Sequence, residues 1–380
     1  MTPPEALLAI VGAAESDLGA VADGITPVDL MAQATARALE DAGLEAGDLD
    51  GVLAASTQVP MASLSLSAAL GARPRFFDGT NVGGSSFMAH LRHAAAAIGA
   101  GQCSVAVIAH GSTQRLVGRS SASVQEVAWW EAPYEPALPV TAYALAAARH
   151  MHEFGTTREQ LAEVAVAARE WARLNPAAWS RDPLAIEDVL AAPLVADPLG
   201  VRDCCLVNDG GAAVVVCSPE RARSLGRPHV LVLGAGEAST HRHISEMPDL
   251  VRTAAVASGG EAFAQAGVGP QEMDLALLYD AFTITPLLFL EDLGFCAKGE
   301  GGAFVEGGRT RPGGDFPMNT NGGGLSYCHP GMYGLLMLVE AVRQLRGECG
   351  GRQVPDAALA VAHGNGGVLS SQCTAVLARA

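Results

Sequence analysis

Residues 38–53 of the chain return as residues 262–277. Laying Ala42-Gly43 over Ala266-Gly267 also lays Ala38 on Ala262, Leu39 on Phe263, Asp50 on Asp274 and Leu53 on Leu277, a gapless displacement of 224 positions (266 minus 42). The repeated unit reads as a helix, an Ala-Gly stop, an acidic residue and an apolar strand. A second correspondence runs alongside it. A helix at 88–99 leads into Val-Ala-Val-Ile-Ala-His-Gly at 105–111, and a helix at 335–346 leads into Leu-Ala-Val-Ala-His-Gly at 359–364. A chain with two equivalent βα-rich halves is expected to pack them about a pseudo-two-fold axis. We place the halves at 1–228 and 229–380. Residues 112–201 fall inside the first half, are too long for a loop and carry their own helical pattern, with Thr156-Thr-Arg-Glu-Gln160 as a capping segment. They are read as an inserted cap region covering the site.

Composition narrows the partners. The 380 residues, 49% hydrophobic and 17% charged, suffice for a large core in an α/β protein. A net charge of −16 without any Lys/Arg run argues against nucleic acid or an anionic membrane as partner. No apolar run reaches spanning length and no basic residue precedes the apolar start, so a cytoplasmic location is expected. The eight cysteines form no Cys-x-x-Cys pair and no zinc spacing, which predicts buried, reduced thiols and no metal site. His241-Arg-His243 lacks a third ligand and is read as a polar loop; His90 and His93 are placed at a surface or interface.

Two stretches carry chemistry. At 319–334, Asn-Thr-Asn-Gly-Gly-Gly-Leu-Ser-Tyr-Cys-His-Pro-Gly-Met-Tyr-Gly precedes an apolar helix. Three consecutive glycines let the backbone approach a ligand closely, and a helix start offers free N–H groups to developing negative charge. Ser326, Tyr327 and His329 are the reactive-capable side chains there. A glycine-rich turn whose His and Tyr only satisfy hydrogen bonds is the other reading. The second stretch is Gly83-Gly84-Ser85-Ser86, also opening a helix; no Gly-x-Ser-x-Gly elbow surrounds its serines, so they are read as caps rather than nucleophiles. Trp129, Trp130 and Tyr134 of the cap either line an apolar pocket or pack the cap.

The two halves, the glycine-rich helix start, Tyr279-Asp-Ala-Phe282, the 319–334 loop and His363-Gly-Asn-Gly-Gly367 occur in the order found in thiolases, and the chain resembles that superfamily over essentially its whole length. The resemblance implies the thiolase fold, five-layered αβαβα, with a tight homodimer and acyl-CoA substrates. It also implies departures. Gly84 stands at the nucleophilic cysteine, Tyr279 at the His of His-Glu-Ala-Phe, His329 in the Gly-His-Pro turn, and His363 at the second cysteine. Without a sulfur nucleophile the usual acyl-enzyme cannot form. The pattern is similar to the thiolase-like aldolases of steroid side-chain breakdown, often labelled lipid-transfer proteins, which work with an OB-fold partner.

That likeness implies retro-aldol cleavage of a β-hydroxyacyl-CoA, steroid-derived, to a ketone and a short acyl-CoA such as propionyl-CoA. The coenzyme A thioester is substrate, and no cofactor is implied in this chain. Breaking Cα–Cβ needs a base for the β-hydroxyl proton, stabilisation of the thioester enolate and an acid to reprotonate Cα. Tyr279 and Tyr327 are the expected proton carriers, their order open, with His329 beside the enolate oxygen. Gly84, Ser85, Asn319, Gly323, Gly324, His363 and Gly366 are expected to line the substrate and oxyanion site. Tyr333 is expected to be packed. An acyltransferase with a non-cysteine nucleophile, or a non-catalytic acyl-CoA or lipid binder, are the alternative readings.

Overall fold

Both copies of the repeat become the same object. The helices Pro27–Ala42 and Ala255–Ala266 stop at Gly43 and Gly267, whose φ of 69° and 66° suits glycine and strains other residues. Two residues before the following strand's second position, an aspartate takes over. Asp50 accepts the N–H groups of Ser104 and Val105 at 2.7 and 2.9 Å, and Asp274 accepts those of Ala358 and Leu359, both at 2.8 Å. Each carboxylate thereby pins the start of the neighbouring strand. The helices lie directly on strand backbone: a Cβ on Gly12 would fall 2.0 Å from the Ala38 carbonyl, and one on Gly234 would fall 2.0 Å from that of Ala262.

This computed structural model describes residues 6–118 and 127–380. Its strands are β1 (Leu8–Glu15), β2 (Gly51–Ala54), β3 (Phe76–Asp78), β4 (Val105–Thr113), β5 (Leu194–Ala196), β6 (Leu199–Gly200), β7 (Asp209–Cys217), β8 (Val230–Ser239), β9 (Leu275–Leu278), β10 (Leu359–Gly366) and β11 (Ser371–Arg379). β5 and β6 form a separate hairpin; the other nine make one sheet in the order β3-β2-β4-β7-β1-β8-β11-β10-β9. Read outward from the β1·β8 seam the order is a palindrome: β7 answers β11, β4 answers β10 and β2 answers β9. Beyond β9 the backbone of Met318 bridges Ala276, in the place β3 holds on the other side. The seam itself is short, Leu8, Ala9 and Ile10 pairing Val232, Leu231 and Val230.

Alternation along the strands gives each half two apolar faces. Ala9, Val11, Val107 and Val215 bury against Met31, Ala34 and Ala38 of the outer helix. Leu8, Ile10, Ile108 and Val214 turn the other way, into a core shared with the helices Ser86–Gly99 and Gly334–Arg346. These two inner helices touch strands of both halves, while Ala255–Ala266 covers β8 and β11 from outside. Helix, sheet, helix, sheet, helix gives the five-layered αβαβα thiolase fold.

The inserted cap contributes the helices Val140–Phe154 and Arg158–Arg173, the second opened by a capping box between Thr157 and Gln160. It is tied over the 319–334 loop. Asn175 Nδ2 donates to Asn321 O at 2.9 Å, and the N–H groups of Trp179 and Ser180 donate to Tyr327 O and Ser326 O, both at 3.0 Å. A deeper tie joins His150 Nε2 to the Glu291 carboxylate at 2.9 Å, both side chains fully buried.

Two expectations are corrected here. Trp129 and Tyr134 neither line an apolar pocket nor pack the cap: they are 81% and 85% exposed, on a surface segment whose Trp130 indole N–H donates to Ser245 Oγ at 3.0 Å. His90 is fully buried, with Nε2 2.9 Å from Thr80 O, because the inner helix that carries it is enclosed on both sides. Among the described residues all eight cysteines are free thiols, and no helix is long and apolar enough to cross a membrane.

Candidate active site

Tyr279 follows the last residue of β9 and is fixed on every side. Its N–H donates to His363 O at 3.0 Å, and its carbonyl accepts from Thr285 Oγ1 at 2.7 Å. One residue back, Asn319 grips both backbone groups of Leu278, accepting at 2.8 Å and donating at 2.9 Å. The phenol oxygen then accepts the N–H of Tyr333 at 3.1 Å and lies 3.2 Å from His329 Nε2. Burial lowers the His329 imidazole to about 4 and raises the Tyr279 phenol well above its usual range. At neutral pH the two are an uncharged phenol–imidazole pair.

The ring of Tyr279 occupies the space above Gly84. A Cβ on Gly84 would fall 2.1 Å from Tyr279 Cε2 and 2.6 Å from its hydroxyl oxygen. Where a side chain would project from this helix start, the chain places a phenol supplied by the other half. Glycines close the rest of the turn: a Cβ on Gly366 would meet Val82 O at 1.6 Å, and one on Gly334 would meet Gly84 O at 2.0 Å. His110, the counterpart of His363 in the first half, puts Nε2 3.0 Å from Pro330 O and so brackets the residue after His329.

Beneath the pair, Gly322 and Gly323, at φ 104° and 65°, lead into a single wide turn over Gly323–Tyr327, a π-type backbone often found at functional sites. Asp280 explains the glycines. Its fully buried carboxylate accepts Gly324 N–H at 2.7 Å and Leu325 N–H at 3.3 Å, and a Cβ on Gly323 would fall 1.9 Å from Asp280 Oδ2. Burial nonetheless pushes this carboxyl up to about 7. The folded state therefore holds the proton across a range, from about 4 to about 7, where the unfolded chain has lost it. The stability this group contributes is present below that window and lost as pH rises through it, by at most about 4 kcal/mol. Urea titrations of wild type and Asp280→Asn across this range should show the wild-type slope flattened in the variant; parallel curves would assign the titration elsewhere.

The remaining expected residues are placed as follows. The Gly323 and Gly324 N–H groups are already bound, to Asn321 Oδ1 at 2.9 Å and to Asp280, so neither is free for an oxyanion. Both ring nitrogens of His363 are taken, Nδ1 2.8 Å from Thr374 Oγ1 and Nε2 2.9 Å from Gln372 Oε1, and burial lowers it to about 3. Ser85 Oγ donates to Val82 O at 3.1 Å and contacts Ser371 Oγ at 3.0 Å, a local brace. The Tyr327 hydroxyl does not join that of Tyr279. It donates to Glu15 Oε1 at 2.8 Å, an oxygen that also accepts from Arg343 at 2.7 Å, because a half-buried carboxylate between β1 and the inner helix recruits the donors in reach. Tyr327→Phe should then cost about 1–3 kcal/mol of stability in denaturant melts while turnover stays within a few-fold of wild type; a loss of 10²-fold or more would return Tyr327 to the chemistry.

Residues 236–379 match the family described as thiolase C-terminal domain-like. The chain is 34% identical to an acetyl-CoA acetyltransferase of Methanothermobacter thermautotrophicus, over 98% of this chain and 99% of that protein. It is 34% identical to a steroid side-chain-cleaving aldolase of Thermomonospora curvata, covering 91% of each. A solved structure described as an Ltp2-ChsH2(DUF35) aldolase superposes with a TM-score of 0.88 at 31% identity, over 98% of this chain and 97% of that one. The chain belongs to the thiolase superfamily. Within that superfamily it sets a phenol, 3.2 Å from an imidazole, where resemblance places a cysteine at Gly84.

Sequence reading of this thiolase relative overlooked four participants. Asp280 sat inside the quoted tetrapeptide, and its acidic side chain two residues past an apolar strand was the available signal. Tyr143 comes from the cap: it donates to Gly367 O at 3.1 Å, accepts from Asn365 Nδ2 at 2.7 Å, stacks on Phe282 with centroids 4.4 Å apart, and burial raises it to about 12. Gln372 links Asn365 (2.8 Å) to His363, completing a buried chain from the cap to the strand behind Tyr279. The Tyr333 N–H is a backbone group and leaves no trace in a side-chain motif.

Proposed function

We propose that this protein is a carbon–carbon lyase that cleaves a β-hydroxyacyl-CoA, steroid side-chain derived, by retro-aldol reaction to a ketone and a short acyl-CoA such as propionyl-CoA. The observation that carries the reading is the Tyr279 ring seated where a side chain on Gly84 would stand. It puts an acid–base group, and no nucleophile, at the helix start. The names of two relatives agree with it: the Thermomonospora aldolase, and the 17-hydroxy-3-oxo-4-pregnene-20-carboxyl-CoA lyase of Mycobacterium tuberculosis, 35% identical over 89% of this chain and 91% of that protein.

In this reading the β-hydroxyl donates its proton to Tyr279 Oη as the phenol passes its own to His329 Nε2. The oxygen's electron pair forms the ketone C=O, the Cα–Cβ bond breaks, and its electrons become the thioester enolate. The proton returns through the same pair to Cα, so nothing is oxidised and no water is consumed. A relay suits the environment: a buried phenol is a weak base alone, and a neutral imidazole 3.2 Å away gives its proton a destination.

The reading includes a homodimer and a DUF35-type OB-fold partner, the latter supported by the partner named in the aldolase complex. Light scattering tests the first. For the second and for the reaction, the purified chain is incubated with a β-hydroxyacyl-CoA, with and without such a partner and with no free coenzyme A. Ketone and short acyl-CoA in equal amounts are expected, more with the partner. The acyltransferase alternative, which shares a name with the Methanothermobacter relative, requires free coenzyme A and an acylated enzyme. No ketone in either arm, or an acyl adduct in the mass spectrum of the intact protein, would overturn the lyase reading.

A further inference from the structure

We propose that the cavity between the cap helix Arg158–Arg173 and the segment 201–206 is an anion subsite, filled by a phosphate or carboxylate of the thioester substrate through Arg169 and Arg202. The cavity measures about 140 Å³ and is lined by Arg169, Arg202, Leu184, Cys205, Leu325 and Ser326 among others. That is room enough for a phosphate or a carboxylate group.

Its charge is unbalanced. Arg169 is only 5% exposed, yet the acceptors it reaches are neutral: Nε donates to Ser326 Oγ at 2.9 Å and a terminal nitrogen to Asp182 O at 3.0 Å. Neither Arg169 nor Arg202 forms an ion pair with a carboxylate among the described residues. The nearest buried candidate, Asp203, is spent on Arg158 (3.1 Å), Thr283 (2.8 Å) and Gly200 N–H (2.8 Å). The Asp182 carboxylate is exposed and forms no ion pair with Arg169, although its charge favours the guanidinium. Burial, and then the proximity of Arg202, disfavour the charged guanidinium of Arg169. A buried cation facing a second cation is unfavourable until an anion arrives between them.

The position ties the anion to the reacting molecule. Leu325 and Ser326 belong to the wide turn over Asp280. On the opposite wall Cys205 N–H donates to Ala281 O and Leu206 N–H to Gly324 O, both at 2.9 Å. The walls between are apolar, as an aliphatic stem bearing a terminal anion requires. Two parts of an acyl-CoA offer that: the phosphates at the end of the pantetheine arm, and a distal carboxylate on the acyl group.

The inference rests on the thioester reading above, so it is tested by equilibrium binding without turnover. Calorimetric titrations of wild type, Arg202→Gln and Arg169→Gln use four probes: coenzyme A, pantetheine, glutaryl-CoA and butyryl-CoA. Arg202 is exposed, so its variant is expected to fold normally even if Arg169→Gln does not. A loss of about tenfold or more for coenzyme A with none for pantetheine assigns the site to phosphate. A loss confined to glutaryl-CoA against butyryl-CoA assigns it to a carboxylate. Wild type that binds coenzyme A while folded Arg202→Gln binds all four probes equally well overturns the subsite alone. Wild type that binds none of them overturns the thioester reading and the subsite with it.

Discussion

Tyr279→Phe is expected to lower turnover by about 10²–10⁴-fold, the usual weight of general acid–base catalysis, and to do so at every pH where the protein is folded. The phenol oxygen links a backbone donor, Tyr333 N–H, to a base, His329 Nε2, at 3.1 and 3.2 Å. Phenylalanine keeps the ring over Gly84 and removes only that oxygen, leaving the Tyr333 N–H without its acceptor at a cost of about 1–3 kcal/mol. Substrate binding, measured by titration, should therefore survive while single-turnover chemistry does not. His329→Gln should reproduce the loss, because the relay then has no terminus. The double variant should fall no further than either single one, as members of one unit behave. Near-normal turnover in both single variants would place the proton transfer on another residue.

Gly84 supplies the second large effect. A methyl group there would stand 2.1 Å from the Tyr279 ring, whose backbone is held by His363 O and Thr285 and whose hydroxyl is held by His329 and the Tyr333 N–H, so it has nowhere to retreat. Gly84→Ala is expected to cost about 1–3 kcal/mol of stability and, by displacing the phenol, about 10²-fold or more in turnover. Gly84→Cys should likewise fail to create an acylating enzyme, since the thiol and the phenol compete for one space. Mass spectrometry after acyl-CoA exposure checks this: a thioester adduct is expected only when Tyr279→Ala is added to clear the room. An adduct on the single variant would show that the ring yields, and the exclusion drawn from the geometry would fail.

The duplication was legible because backbone physics wrote it into side chains. Ala-Gly stops and aspartates that hold a neighbouring strand are dictated by local geometry, so they recur at matching positions and align without coordinates. The pairing of Tyr279 with His329 was half legible. Both stood in motif stretches, but the partner that finishes the pair, Tyr333 N–H, is backbone and invisible in sequence. Tyr327 misled because its motif neighbourhood says nothing about Glu15, 312 positions away, whose half-buried carboxylate claims the hydroxyl. Gly323 and Gly324 suggested free N–H donors; the carboxylate of Asp280 uses them, a contact set by the depth at which the loop is buried. The cap was the least legible part. Its helices were visible, but Tyr143 and Arg169 act through contacts with strands and turns far along the chain, which no periodicity encodes.

The two histidine corners of the duplicated unit have diverged into a division of labour: His110 braces Pro330 beside the imidazole, and the His363 carbonyl holds the phenol's own residue. Each half thus braces one member of the Tyr279–His329 pair, although both members lie in the second half. Such a chain has no smaller working version of itself. Swapping one half for that of a cousin would exchange one bracket and leave the other tuned to a lost mate, so recombination at the seam carries a penalty that substitutions scattered over the surface do not.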